Sequence, residues 1–270
     1  MMLLVSILLI GVARAFELKW TPPEDFRQAP ADIFNAVHDL ESRKHSNRVV
    51  GGGNVNPPDR FPYYAYLEVR TDGGSFICSA TLIWEDILLT AAHCLVDLQL
   101  AGLELLGVDA WVGLSDQDQR DAAVYRQVEL AVPNPRFDPN TEENDIMIMK
   151  LVDPITEIQP VLLNFDPSVP VNNQALELFG FGTTSENATT LPTILQTAQV
   201  NVVPFNTCNA PGAYNGNINN NLMICAAAPG VVSTEVVRKS SCWELKLKLF
   251  LLTAGLLQRR WGSSSDRAWK

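Results

Sequence analysis

The sequence predicts an all-β fold, a sandwich or a barrel. Eight short β-type runs separated by turn residues carry that prediction, together with the lack of alternating βαβ patterning and of any internal repeat at a period of 20–50 residues. The runs are 63–69, 76–84, 87–90, 110–114, 125–132, 146–151, 175–181 and 195–203. The first two flank Asp72-Gly73-Gly74, the third follows Glu85-Asp86, and the fifth stops at Pro133-Asn134-Pro135. The run at 146–151 is an apolar strand interrupted only by Lys150.

Composition bounds the function. With 19% charged and 8% aromatic residues and ordinary Gly and Pro content, the 270 residues read as globular and exclude disordered, collagenous and coiled-coil chains. A formal net charge of -10 argues against a phosphate-binding surface, so no nucleic-acid partner is expected.

Residues 1–15 read as a secretory signal peptide: an apolar stretch followed by Ala13-Arg14-Ala15, the small-x-small pattern of a cleavage site. An uncleaved anchor is the alternative. The next most apolar stretch, 245–257, is interrupted by Lys246 and Lys248 and falls short of the roughly 20 residues a spanning helix needs, so no membrane association is expected after signal removal. A secreted, extracellular chain keeps its cysteines in an oxidising compartment, where pairing is the default. Cys78 and Cys94 lie in one apolar block and Cys208 and Cys225 in another, leaving Cys242 over. No C-x-x-C spacing suggests a metal site, and no metal or cofactor is expected.

Residues 16–48 are polar and rich in Pro, Asp and Glu, with one amphipathic stretch at 33–40, and end in the basic run 43–48. At Val49-Val50-Gly51-Gly52-Gly53 β-branched residues and glycines take over, which marks a boundary. Residues 246–270 differ again, holding six basic residues and one acid.

Two motifs carry chemistry. Thr90-Ala91-Ala92-His93-Cys94 follows an apolar strand, and an imidazole held there suits a general base because its unperturbed pKa is about 6.5; a hydrogen-bonded core histidine is the plainer reading. In Asn144-Asp145-Ile146-Met147 a carboxylate stands at the mouth of the 146–151 strand, where it can fix the tautomer of an imidazole or simply close a turn.

Taken together with Arg48-Val49-Val50-Gly51-Gly52, Phe179-Gly180-Phe181-Gly182-Thr183-Thr184 and Met223-Ile224-Cys225-Ala226, these motifs resemble, in order, those of the trypsin/chymotrypsin family of serine endopeptidases. The resemblance covers about residues 49–242. It implies two antiparallel six-stranded β-barrels with the active site between them, His93 and Asp145 as base and orienting acid, disulfides Cys78–Cys94 and Cys208–Cys225, and protein or peptide substrates. It also makes residues 16–48 a pro-segment. An activating protease would cleave after Arg48 and free the Val49 ammonium. A monomer is expected.

The resemblance fails near its end. The family's nucleophile lies in Gly-Asp-Ser-Gly-Gly, starting two residues beyond the cysteine matched by Cys242; here Lys246 holds the serine's position, and that motif occurs nowhere in the chain. The second barrel is therefore expected to be incomplete, residues 243–270 an aberrant basic tail of a truncated or misjoined sequence, and the chain inactive. The resemblance also implies that Ser240, two before Cys242, lies at the floor of the specificity pocket, where a serine disfavours Lys and Arg and suits larger apolar side chains. Asn187-Ala188-Thr189 is a glycosylation sequon. The alternative is a noncatalytic homologue that binds a protein partner.

Overall fold

The computed structural model describes residues 19–20, 49, 52–182 and 190–228. Among them are eleven strands, β1 (Lys19–Trp20), β2 (Gly53–Asn54), β3 (Tyr64–Thr71), β4 (Gly74–Trp84), β5 (Ile87–Thr90), β6 (Leu105–Val112), β7 (Val124–Pro133), β8 (Met147–Leu151), β9 (Ala175–Gly180), β10 (Gln196–Val203) and β11 (Cys225–Ala227). Helices α1 (His93–Leu100) and α2 (Phe205–Cys208) and a 3-10 segment, Gln117–Ala122, complete the secondary structure.

Six antiparallel strands close on themselves in the cyclic order β3-β4-β5-β8-β7-β6, because β7 pairs with both β6 and β8 and β6 returns to β3. Closure leaves one inner face, and the alternating side chains fill it: Leu67, Val69, Leu82, Leu88, Ala110, Val112, Met147, Met149 and Leu151 are buried together with Leu95 of α1. The second sheet is partial among the described residues, with order β11-β10-β2 and β9 also paired to β10. Its small core is Leu176, Leu178, Val200, Val202, Ile224 and Ala226.

Aromatic residues join the two sheets. Phe61, ahead of β3, stacks on Phe179 of β9 at 4.1 Å between ring centroids, and Tyr64, Tyr66, Phe181, Leu114 and Leu195 close the same cluster. A salt bridge of 2.6 Å from Arg60 to the Glu177 carboxylate crosses the seam. Thr197 donates a further bond to the other carboxylate oxygen. Burial first, and the Glu177 charge second, push the Tyr63 hydroxyl up to about 12, so this hydroxyl stays protonated beside the ion pair at neutral pH.

The boundaries depart from the sequence reading in specific places. β6 starts at Leu105 rather than 110 and ends at Val112, because Gly113 turns the chain away at φ +83. The final strand among the described residues is Cys225–Ala227, which begins two residues after the start of the motif at 223–226 and ends one residue beyond it. Helix α1 was not expected, and neither was β1, which lies in the 16–48 segment and pairs in parallel with Leu130 and Ala131 of β7.

Gly52 has a steric reason to be glycine. A Cβ there would stand 2.6 Å from the Thr197 carbonyl oxygen and 2.7 Å from Val49 Cγ1, and the first of these is backbone that cannot swing aside. Gly52→Ala is therefore expected to lower stability by about 1–3 kcal/mol, read as a lower urea midpoint at unchanged slope.

Candidate active site

β5 and β8 are antiparallel neighbours with Thr90 opposite Met147. The residues just after β5 and just before β8 therefore emerge at the same rim of the barrel, and these are the segments that hold His93 and Asp145. Thr90 is fully buried and donates to the Ser79 carbonyl at 2.8 Å, which fixes the end of β5. The disulfide Cys78–Cys94 ties β4 to the first turn of α1, and Cys208–Cys225 ties α2 to β11. With sequence separations of 16 and 17, each is worth ~3 kcal/mol in the chain-entropy model.

Asp145 is 1% exposed and uses both carboxylate oxygens on one residue. The His93 backbone N–H donates to Oδ1 at 2.9 Å, and His93 Nδ1 lies 2.7 Å from Oδ2. The first bond explains how α1 begins. Its N-cap residue, Ala92, supplies no side-chain acceptor, and the Asp145 carboxylate, from the mouth of the neighbouring strand, accepts from an N–H of the first turn. The second bond orients the imidazole. With Nδ1 facing the carboxylate, the side chain still keeps 45% of its surface exposed.

The loop before Asp145 is built to deliver it. Glu142 and Asn144 adopt positive φ, 57° and 58°, and the Asn144 amide donates to the Arg136 carbonyl at 3.0 Å. Asp138 accepts from the Asn140 backbone N–H at 2.9 Å, which, with burial opposing, holds its carboxyl below the usual aspartate range. Ionised Asp138 is thus favoured by folding. Its contribution is whole above the unfolded value of about 3.9 and is lost as pH falls through the lower folded value. A carboxyl-carbon NMR titration is expected to place the Asp138 midpoint below about 3.9 and, in Asn140→Pro, which lacks the donor, to move it upward.

The far side of this loop is held from the second sheet's side. Asn219 Nδ2 donates to Glu143 Oε1 at 2.9 Å across 76 residues of sequence. Neither residue is singled out by sequence reasoning, since only the fold brings them together.

Ligand atoms of Cys78, His93 and Cys94 lie within 4.8 Å of one another. Both sulfurs are taken by the disulfide, so the thiolates a metal would need are not available. Val49 is described and is 2% exposed. Arg48, Asn187, Ser240, Cys242 and Lys246, with the signal peptide and the tail, lie outside the described residues. No helix among the described residues is long and apolar enough to cross a membrane.

Residues 49–235 match the family model described as Trypsin. Trypsin beta of Drosophila erecta is 28% identical over 185 residues, spanning 68% of this chain and 68% of that protein. Trypsin Blo t 3 of Blomia tropicalis is 29% identical over 231 residues, 84% of this chain and 77% of its own length. Serine protease 56 of Homo sapiens is 30% identical over 199 residues, 72% of this chain but 31% of its own length. The solved structure of GrC superposes with a TM-score of 0.58 at 23% identity, covering 66% of this chain and 75% of that one, and shows the fold.

Proposed function

This chain belongs to the trypsin family, and from that premise we propose that it descends from secreted serine endopeptidases made as zymogens, with His93 as the general base and Asp145 as the residue that orients it. The observation that carries this reading is the pair of hydrogen bonds that one buried carboxylate makes with the backbone N–H and the ring of a single half-exposed histidine, at 2.9 and 2.7 Å.

In this reading the Asp145 carboxylate keeps the proton on His93 Nδ1, which leaves Nε2 as the basic nitrogen. Nε2 takes the proton of a nucleophile attacking a peptide carbonyl. The imidazolium so formed sits beside a buried negative charge and then returns the proton to the leaving amine. Asp145 orients and stabilises and does not itself change protonation state.

The nucleophile is what this sequence lacks. Lys246 stands at its position, and with Gly-Asp-Ser-Gly-Gly go the oxyanion-hole N–H groups and the carboxylate that a Val49 ammonium would pair with. In this reading the 270-residue chain is inactive, and residues 243–270 belong to a truncated or misjoined coding sequence. The lack of that motif also favours a second reading, a noncatalytic homologue that binds protein through the preserved barrel surface. Peptide mapping by mass spectrometry of the secreted protein separates the two. A Gly-Asp-Ser-Gly-Gly peptide following Cys242 supports the protease reading; a peptide ending Asp266-Arg267-Ala268-Trp269-Lys270 supports the binding module and ends the catalytic one.

A further inference from the structure

The loop that delivers Asp145 spans 134–146 and is closed at its base, where the Asn134 N–H donates to the Ile146 carbonyl at 2.8 Å. At its tip Asp138 and Glu143 pair as an isolated bridge, with the Asp138 N–H donating to the Glu143 carbonyl at 3.1 Å. Glu143 is flanked by Glu142 and Asn144, both in the left-handed region. Asn tolerates that conformation, whereas Glu keeps it only where surrounding contacts outweigh the cost. Such a contact reaches Glu143 from outside the loop, as the Asn219 amide at 2.9 Å.

Asn219 is held so as to aim that amide. Its backbone carbonyl accepts the Leu222 and Met223 N–H groups at 3.0 and 2.8 Å, and its side-chain Oδ1 accepts the Asn221 N–H at 3.1 Å. With Oδ1 taken up, Nδ2 is the end that faces Glu143. The neighbouring Ile218 is fixed to the Asn209 side chain twice, its N–H donating to Oδ1 at 3.0 Å and its carbonyl accepting from Nδ2 at 3.3 Å. Ile218 and Met223 are buried together with Cys208 and Cys225, whose disulfide ties the two ends of this segment. A braced loop ahead of β11 therefore grips the turn two residues before Asp145.

We propose that Asn219 is a positioning residue for the His93–Asp145 pair: by holding Glu143 from the second sheet's side, it fixes where the Asp145 carboxylate stands against the imidazole. That the pair serves as a base rests on the reading above; the geometry of the pair does not. A contact of 2.7 Å between Nδ1 and Oδ2 tolerates little displacement, because hydrogen bonds weaken steeply as their angle and length depart from the optimum. When Asn219 lets go, Glu142 relaxes out of the left-handed region and the turn carries Asp145 away from the ring.

The test follows, by NMR of the full chain, the two protons that Asp145 accepts, the His93 backbone N–H and the ring Nδ1–H. In Asn219→Ala both are expected to exchange with solvent at least about tenfold faster, while the amides of β5 and β8 exchange as in the unsubstituted chain. A merely structural loss would speed those strands together with the two His93 protons. Glu143→Ala is expected to match Asn219→Ala, and the double variant to add nothing to either, since all three remove one bond. Glu143→Gln, whose amide oxygen still accepts from Asn219, is expected to behave as the unsubstituted chain, which separates the bond from the charge. Unchanged exchange of the His93 protons in Asn219→Ala overturns the proposal, as do additive effects in the double variant or a Glu143→Gln chain that behaves like Glu143→Ala. A ring proton found on Nε2 in the unsubstituted chain defeats the base reading instead, and the His93 backbone N–H, which donates to Oδ1 in either tautomer, still decides the positioning role.

Discussion

Incubated with a labelled fluorophosphonate, the 270-residue chain is expected to take up no label, and its hydrolysis of peptide substrates is expected to fall roughly a millionfold below that of a complete triad. The reagent reacts when an activated serine hydroxyl attacks phosphorus and fluoride leaves. In the proposed reading His93 and Asp145 activate a hydroxyl, but the sequence around Lys246 supplies none. Ser263, Ser264 and Ser265 follow a single glycine in a basic stretch and have no counterpart of the strained turn that presents the nucleophile. Substituting Lys246→Ser alone is expected to leave the chain unlabelled, because the flanking glycines that shape the oxyanion hole are also missing. Stoichiometric labelling that disappears in His93→Ala would show that some serine of this chain is activated, and would contradict the account.

Asp145→Ala is expected to cost about 2–3 kcal/mol of stability, read from urea denaturation. The larger share comes from the His93 backbone N–H, which loses a charged acceptor at the start of α1. The ring contributes less, since with 45% of its side chain exposed the imidazole can turn to solvent, and its bond to the carboxylate is discounted accordingly. Asp145→Asn is expected to cost less, because the amide oxygen still accepts one of the two bonds. A loss below about 0.5 kcal/mol in Asp145→Ala would mean that the carboxylate does not hold the helix terminus.

The strands of the first barrel were legible because a closed sheet with one buried face writes a period of two into the chain. Met147, Met149 and Leu151 point inward while Ile148 keeps 45% exposure. Helix α1 was not legible: His93–Leu100 is apolar around most of its circumference, is only two turns long, and begins at Ala92 without a capping side chain. Its acceptor is Asp145, 52 residues away. The same distance in sequence hid the logic of the site. His93 alone reads equally as a core histidine and Asp145 alone as a turn residue, and only the facing of β5 with β8 gives their pairing a cause. Asn219 and Glu143, like Phe61 and Phe179, meet across the seam between sheets and leave no local trace. β1 escaped notice because two residues are too few to form a pattern.

The most direct test of the central claim, that Asp145 arranges His93 as a base, is the tautomer of His93 in the intact protein by nitrogen-15 NMR of the imidazole at neutral pH. The account predicts a proton on Nδ1, bonded to the carboxylate 2.7 Å away, with Nε2 unprotonated. It also predicts that Asp145→Asn shifts the proton toward Nε2. A proton on Nε2 in the unsubstituted chain, with Nδ1 bare against the carboxylate, would contradict it.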